Sequence, residues 1–148
     1  MPVLAAARCG SSPLPPPPPP PPATLELTIV CGPGINPNGL GSPAPVVVRI
    51  FLLTATTRFE RADVFALTER EKATLADDLV SSDEVIVRPS ERRTVQPELG
   101  KSVRFLGIAA MFRDIDRAQW RAVAPLAVSG PTRLVLKIDG IGVSLAPA

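Results

Sequence analysis

The spacing of the hydrophobic positions changes twice along the chain. From Leu25 to Cys31, apolar residues alternate with polar ones, and this period of two predicts a strand with one buried face. Between Arg58 and Val80 they recur at intervals of three and four, which predicts a helical segment, and strand-like segments return from Glu84 onward. Helices inserted among strands without regular alternation favour a mainly β fold, a β-sandwich with a short helical insertion.

Several segments fit this fold individually. Val46–Leu53 is apolar apart from Arg49 and rich in β-branched residues, which favours a largely buried strand. Val103–Phe112 is apolar at nearly every position except Arg104, as expected of a central strand that is covered on both faces. Further strands are predicted at residues 84–88, 93–96, 134–139 and 143–145.

The helical segment carries its own start signal. Thr68-Glu69-Arg70-Glu71 fits a capping box, in which the Thr68 hydroxyl accepts the Glu71 amide while the Glu71 side chain reaches back. We therefore expect a helix to restart there and two short helices rather than one.

A long loop is predicted between the first two strands. Residues from Gly32 to Pro45 are dense in glycine, proline and asparagine, which break regular structure. Its centre, Ile35-Asn36-Pro37-Asn38, is expected to expose one apolar side chain among amides and a stiff proline, a surface suited to docking a partner. Surface loops of this kind tolerate sequence change with little loss of stability. The alternative is that the loop is a mere connection.

The first 23 residues differ in composition from the remainder. Eight consecutive prolines, Pro15–Pro22, favour an extended polyproline II rod of about 25 Å, because proline fixes φ and lacks a backbone donor. Cys9 lies on the far side of this rod, so the order is anchor, spacer, domain. Lipid attachment at Cys9 is therefore the first functional hypothesis. The alternative is an ordinary thiol in a disordered tail.

The N-terminal residues bear on the anchor hypothesis. The apolar run of residues 3–7 is too short for a secretory signal, and Arg8 stands where lipoprotein signals usually place a small residue. We interpret residues 1–23 as a truncated signal remnant, the lipidation cysteine and a disordered proline-rich spacer, and residues 24–148 as one domain. With Cys9 acylated, Cys31 is expected to be free and buried at the end of the first strand.

Charge and length exclude several classes of function. The net charge is +2, with 16 basic and 14 acidic residues scattered along the chain, so no basic stripe indicates a nucleic acid partner. No apolar stretch approaches the length of a membrane span, so attachment to a membrane would be covalent or peripheral.

Candidate chemistry is sparse. The chain has no histidine and no tyrosine, and it lacks a Cys/His cluster for a metal, which disfavours an enzyme and predicts no cofactor. Asp114 and Asp116 stand beside Arg113 and Arg117 and are expected to form ion pairs at a strand end rather than a catalytic pair. Trp120 is expected to be a core or corner residue.

The predicted loop begins with a short glycine motif. Gly32-Pro33-Gly34 favours a flexible loop over a phosphate cradle, because the glycine and lysine positions of the known phosphate-binding motifs do not follow it.

Taken in order, several segments resemble the TssJ (SciN) family, the outer-membrane lipoproteins of bacterial type VI secretion. The resemblance covers nearly all of the chain from Leu25 to Leu145. The segments that carry it are Leu25-Glu26-Leu27-Thr28-Ile29, Asn36-Pro37, Ser42–Ile50, Ala62–Leu67, Arg88-Pro89 and Gly107–Asp116.

The resemblance implies a transthyretin-like β-sandwich, tethered by an acylated cysteine to the periplasmic face of the outer membrane. It further implies that the loop between the first two strands, here Gly32–Pro45, contacts the periplasmic domain of the inner-membrane protein TssM, in a complex that also contains TssL. Such a protein is a structural adaptor without a small-molecule substrate.

Two alternatives to a structural adaptor remain open. One is a periplasmic or secreted β-sandwich module that binds a small ligand or polysaccharide and has no secretion role, although five Phe, one Trp and no Tyr leave few aromatic platforms for it. The other is an enzyme.

Overall fold

A computed structural model describes residues 13–148 of the chain. Two four-stranded sheets, with the orders β4-β1-β7-β8 and β3-β2-β5-β6, face each other, and the helices all lie between β2 and β3. A mainly β sandwich with a short helical insertion is thereby confirmed. The strands are β1 (Thr24–Cys31), β2 (Val46–Leu53), β3 (Leu79–Val87), β4 (Arg92–Val95), β5 (Phe105–Ala110), β6 (Arg121–Pro125), β7 (Pro131–Asp139) and β8 (Gly142–Pro147).

Strand β1 organises the first sheet. Its alternating residues Leu25, Leu27 and Ile29 are buried, as their period of two predicts. It pairs antiparallel with β4 and parallel with β7, in a register that places Leu27 beside Leu134. Because β1 and β7 run parallel, both strands end at the same end of the sandwich.

The central strands of the second sheet, β2 and β5, are covered on both faces. Their inner face packs into the main core between the sheets, and their outer face packs under the helices in a second cluster that includes Phe51, Phe59 and Leu67. This double burial explains why Val46–Leu53 is almost continuously apolar. Gly107 permits the close approach, because a Cβ there would lie 3.0 Å from the Phe59 ring.

The helical insertion differs from its prediction. It contains three short helices, α1 (Thr57–Arg61), α2 (Val64–Glu69) and α3 (Glu71–Leu75), followed by a 3-10 turn (Ala76–Asp78). Asp63 caps α2 by accepting a hydrogen bond from the Ala66 amide at 2.8 Å. The predicted helix reached Val80, but Leu79 and Val80 belong to β3, which pairs with β2.

The predicted capping box at Thr68 is wrong. The Thr68 hydroxyl lies inside α2 and donates to the Val64 carbonyl at 2.9 Å. The Glu71 carboxylate instead accepts hydrogen bonds from Arg49 of β2 and Ser82 of β3, each at 2.8 Å. A charge-assisted contact between elements has displaced the local cap.

Strand β6 was missed because its sequence, Arg-Ala-Val-Ala-Pro, shows no clear alternation. Its first residue fixes the helices to the second sheet: Arg121 Nη1 donates to the carbonyls of Phe59 and Ala62, each at 2.7 Å. The guanidinium also lies 4.4 Å from the centroid of the Trp120 ring, and burial lowers the pKa of Arg121. Trp120 is half-buried and packs against both core clusters, which confirms its prediction as a core or corner residue.

Cys31 is buried at the end of β1, as predicted, and has no disulfide partner among the described residues. Burial, followed by the nearby Glu91 carboxylate, raises the pKa of its thiol. Cys9 lies outside the described residues. Within residues 13–148, no helix has the length and apolar character needed to cross a bilayer.

Candidate docking surface

Four connections meet at one end of the sandwich, which we call the loop end. They are the β1–β2 loop (Gly32–Pro45), the β3–β4 turn (residues 88–91), the connection after β5 (residues 111–117) and the β7–β8 turn at Gly140 and Ile141. The β3–β4 turn contacts the β1–β2 loop through the Ser90 amide, which donates to the Gly32 carbonyl at 3.0 Å. The connections are hydrogen-bonded to one another, because the Asn36 amide donates to the Gly140 carbonyl at 2.9 Å and the Arg113 amide donates to Asn36 Oδ1 at 2.8 Å. The loop end is therefore a single built surface.

Ile35 does not lie on this surface. The expectation that it exposes an apolar side chain is wrong, since its exposed fraction is 0 % and it belongs to the main core. The loop folds back so that the Ala44 amide donates to the Ile35 carbonyl at 3.1 Å, which directs the side chain into the gap between the sheets. Removing that side chain from water stabilises the loop, so the expected tolerance to change does not extend to Ile35.

Asn36 is the one buried polar residue among residues 13–148. Its Nδ2 donates to the Pro45 carbonyl at 2.8 Å, while its Oδ1 accepts from the Arg113 amide. The backbone has a positive φ of 46°, a conformation that asparagine adopts more readily than most residues. Asn36 therefore holds the loop in shape, and its side-chain groups are already engaged within the chain.

The exposed tip of the loop begins at Asn38. Its Oδ1 accepts hydrogen bonds from the amides of Leu40 at 2.9 Å and Ser42 at 3.0 Å, and Gly41 completes the turn with a φ of 80°. This turn presents Leu40 with 93 % of its surface exposed. Sequence reasoning missed Leu40, although the glycine and asparagine turn around it was a usable signal.

Two clefts flank Arg113 at the loop end. The loop cleft has a volume of about 540 Å³ and is lined by Pro37, Asn38, Gly39, Arg113, Asp114, Gly140 and Ile141. The helix cleft has a volume of about 340 Å³ and lies between α2 and the connection after β5. Its lining residues are Val64, Phe65, Thr68, Glu69, Met111, Phe112, Arg113 and Ile115.

The charged cluster after β5 is only partly paired. Asp114 lies 4.0 Å from Arg117, so the predicted ion pair exists there. Because both side chains are exposed, this pair contributes little to the stability of the fold. No carboxylate among the described residues lies within that distance of the Arg113 guanidinium. Instead the guanidinium packs against Gly39, where a Cβ would approach Nη1 to 3.0 Å.

The opposite end of the sandwich, which we call the tether end, receives the proline tract. The Gly130 amide donates to the Pro21 carbonyl at 3.1 Å, and the Thr24 amide donates to the Gly130 carbonyl at 3.1 Å. Since β1 runs from Thr24 to Cys31, the proline tract and the β1–β2 loop leave from opposite ends of the same strand.

Two further predicted features concern ligands. The Gly32 amide already donates to the Ile138 carbonyl at 2.9 Å, so it is engaged within the chain rather than free for a phosphate. Within residues 13–148, no group of three or more Cys, Asp or Glu side chains is placed to hold a metal ion.

Comparison with known proteins identifies a matching family. Residues 23–140 match the family model described as type VI secretion lipoprotein, VasD, EvfM, TssJ, VC_A0113. No curated protein matches the chain significantly in sequence.

Solved structures also resemble the chain. The T6SS lipoprotein TssJ1 from Pseudomonas aeruginosa is 34% identical, with a TM-score of 0.83 over 86% of this chain and 98% of that one. A chain from the structure described as the T6SS protein TssM C-terminal domain from EAEC is 30% identical, with a TM-score of 0.70 over 85% and 99%. Serratia marcescens Lip, a membrane bound component of the type VI secretion system, shares the fold at 23% identity, with a TM-score of 0.75 over 86% and 96%.

Proposed function

The chain belongs to the type VI secretion lipoprotein family, and on this premise we propose that it anchors the type VI secretion membrane complex to the outer membrane by binding the periplasmic domain of TssM. In this proposal Cys9 is acylated at the periplasmic face of the outer membrane, and TssL is reached only indirectly through TssM. The protein works by binding, without catalysis, cofactor, nucleic acid or small-molecule substrate.

One observation carries this proposal. The tether end and the loop end lie at opposite ends of β1, so a membrane attached through the proline tract leaves the β1–β2 loop directed away from the lipid. Pro21 is already bonded to the domain, so the six prolines before it add about 19 Å between Cys9 and the domain. Such an arrangement suits an adaptor that faces lipid at one end and protein at the other.

The predicted partner-binding residues divide into two roles in this proposal. Ile35 and Asn36 are buried and shape the loop, whereas Pro37 and Asn38 line the open loop cleft. We add Leu40 as the apolar contact, because it is nearly fully exposed at the tip. A large apolar side chain held by an ordered turn can be buried by a partner with little loss of conformational entropy.

Binding to the TssM periplasmic domain from the same bacterium, measured by calorimetry, tests the proposal. Leu40→Asp should weaken binding by about tenfold to hundredfold, because it replaces an apolar contact worth about 1.5–3 kcal/mol with a charge. The matched control is Val128→Asp, which alters a residue that is 70 % exposed beside the tether end and should leave affinity unchanged. No binding by the unaltered domain, or equal affinity for both variants, would contradict the proposal.

Acylation requires a separate measurement. In a precursor that carries a lipoprotein signal, labelled palmitate should enter the protein and not its Cys9→Ser variant. Equal incorporation by both proteins would contradict acylation at Cys9 and would leave the proposed TssM contact unaffected.

A further inference from the structure

The helix cleft lies outside the loop contact proposed above. Its lining is mainly apolar and includes Val64, Phe65, Met111 and Ile115. Phe65 is 60 % exposed, although aromatic residues of this size are usually buried. An exposed aromatic side chain at the edge of an apolar cleft is typical of a surface that another molecule covers.

Arg113 joins this cleft to the loop cleft. Its amide is fixed by Asn36 Oδ1, and its guanidinium is positioned against Gly39. Since no carboxylate of the described residues pairs with it, the cation is available to an acidic group from outside. An arginine with its backbone held in place recognises a carboxylate with a small loss of freedom.

We infer that the TssM contact extends from the loop across Arg113 into the helix cleft, and that the partner segment carries a carboxylate next to an apolar side chain. The carboxylate pairs with the Arg113 guanidinium, and the apolar side chain packs against Phe65 and Met111. This inference rests on the proposed function and specifies the chemistry of its partner.

The area that a stable interface needs supports a contact that extends into the helix cleft. A stable interface buries about 800 Å² on each partner, more than the tip of one loop offers. Arg113 lines both clefts, so the helix cleft adjoins the loop cleft and lies within reach of the same partner. A lipid surface does not fit this site, because the tether leaves from the opposite end of the sandwich.

Two pairs of variants test the inference, with affinity for the TssM periplasmic domain as the readout. Phe65→Ala should weaken binding about tenfold or more, while Ile86→Ala, which alters an apolar residue 56 % exposed on β3, should not. Arg113→Gln should weaken binding about fivefold or more and reduce its dependence on salt, while Arg117→Gln, which removes the same charge four residues away, should change both little. Thermal melting should confirm that all four variants are folded.

The outcomes separate the two proposals. If the unaltered domain does not bind, the proposed function fails. If it binds and Leu40→Asp weakens it, but Phe65→Ala and Arg113→Gln bind normally, the function stands and this inference is overturned. Self-association that Phe65→Ala abolishes without loss of TssM affinity would also overturn it, because a second copy of the chain would then be the occupant of the cleft.

Discussion

The loop end and the tether end are held by different kinds of contact. Both ends contain backbone hydrogen bonds, but at the loop end buried side chains add to them: Ile35 packs into the core, and Asn36 hydrogen-bonds to Pro45 and Arg113. At the tether end, the proline tract is joined to the sandwich by backbone bonds, from Gly130 to Pro21 and from Thr24 to Gly130. The shape of the loop end therefore depends on which residues are present, whereas the tether end depends mainly on backbone conformation.

Under the proposed function, this difference fits the two roles. A tether needs no specificity, so backbone contacts between a proline tract and a turn are enough for it. A docking surface needs particular groups in fixed positions, and the buried side chains beneath the loop end would hold Leu40 and Arg113 in that way.

The largest loss of stability should come from replacing Ile35, the buried residue that holds the loop end against the core. Ile35→Ala should lower the free energy of unfolding by about 3 kcal/mol, because it removes a fully buried side chain and leaves a cavity. Chemical denaturation followed by circular dichroism measures this, with Leu40→Ala as the control that should change stability by less than about 0.5 kcal/mol. Equal stability of the two variants would contradict the division between anchor and contact residues.

Asn36→Ala should have an intermediate effect. The substitution leaves the Pro45 carbonyl and the Arg113 amide without partners and places alanine at a positive φ, so we expect a loss of about 2 kcal/mol in unfolding free energy. Asn38→Ala, which releases two amides at the exposed tip, should lose about half as much. Chemical denaturation measures both losses of unfolding free energy. A smaller loss for Asn36→Ala than for Asn38→Ala would show that Asn36 does not hold the loop end in shape.

The smallest effect is expected at the tether end. Gly130→Ala should lower the free energy of unfolding by about 1 kcal/mol, because Gly130 has a φ of 73° in otherwise open space. Gly34→Ala is the matched control, since a Cβ there also meets nothing within 4 Å but the φ is not positive. Gly130→Ala should leave affinity for the TssM domain unchanged, because Gly130 lies at the end opposite the proposed contact. Weakened binding by Gly130→Ala would mean that the two ends are coupled.

The strands were predictable wherever burial imposes a repeating pattern. The alternation of Leu25, Leu27 and Ile29 follows from one buried face, and the continuous apolar run from Val46 to Leu53 follows from two. Prediction failed where one contact from elsewhere in the chain overrode local sequence. The Glu71 side chain accepts hydrogen bonds from Arg49 and Ser82 instead of forming the predicted cap. Both donors lie outside the segment that the capping box covers.

The sequence alone determined the strands with a regular burial pattern, the proline tract and the resemblance to the TssJ family, because composition and periodicity act over a few neighbouring residues. Only the tertiary structure decided that Ile35 faces inward and Leu40 outward, since a single apolar residue in a glycine and proline loop has no periodic pattern to reveal its side. It also decided the meeting of Asn36 with Arg113, 77 residues apart, where the ends of strands from both sheets converge. Their contact arises from how the strands pair, and pairing over such distances leaves no local trace in the sequence.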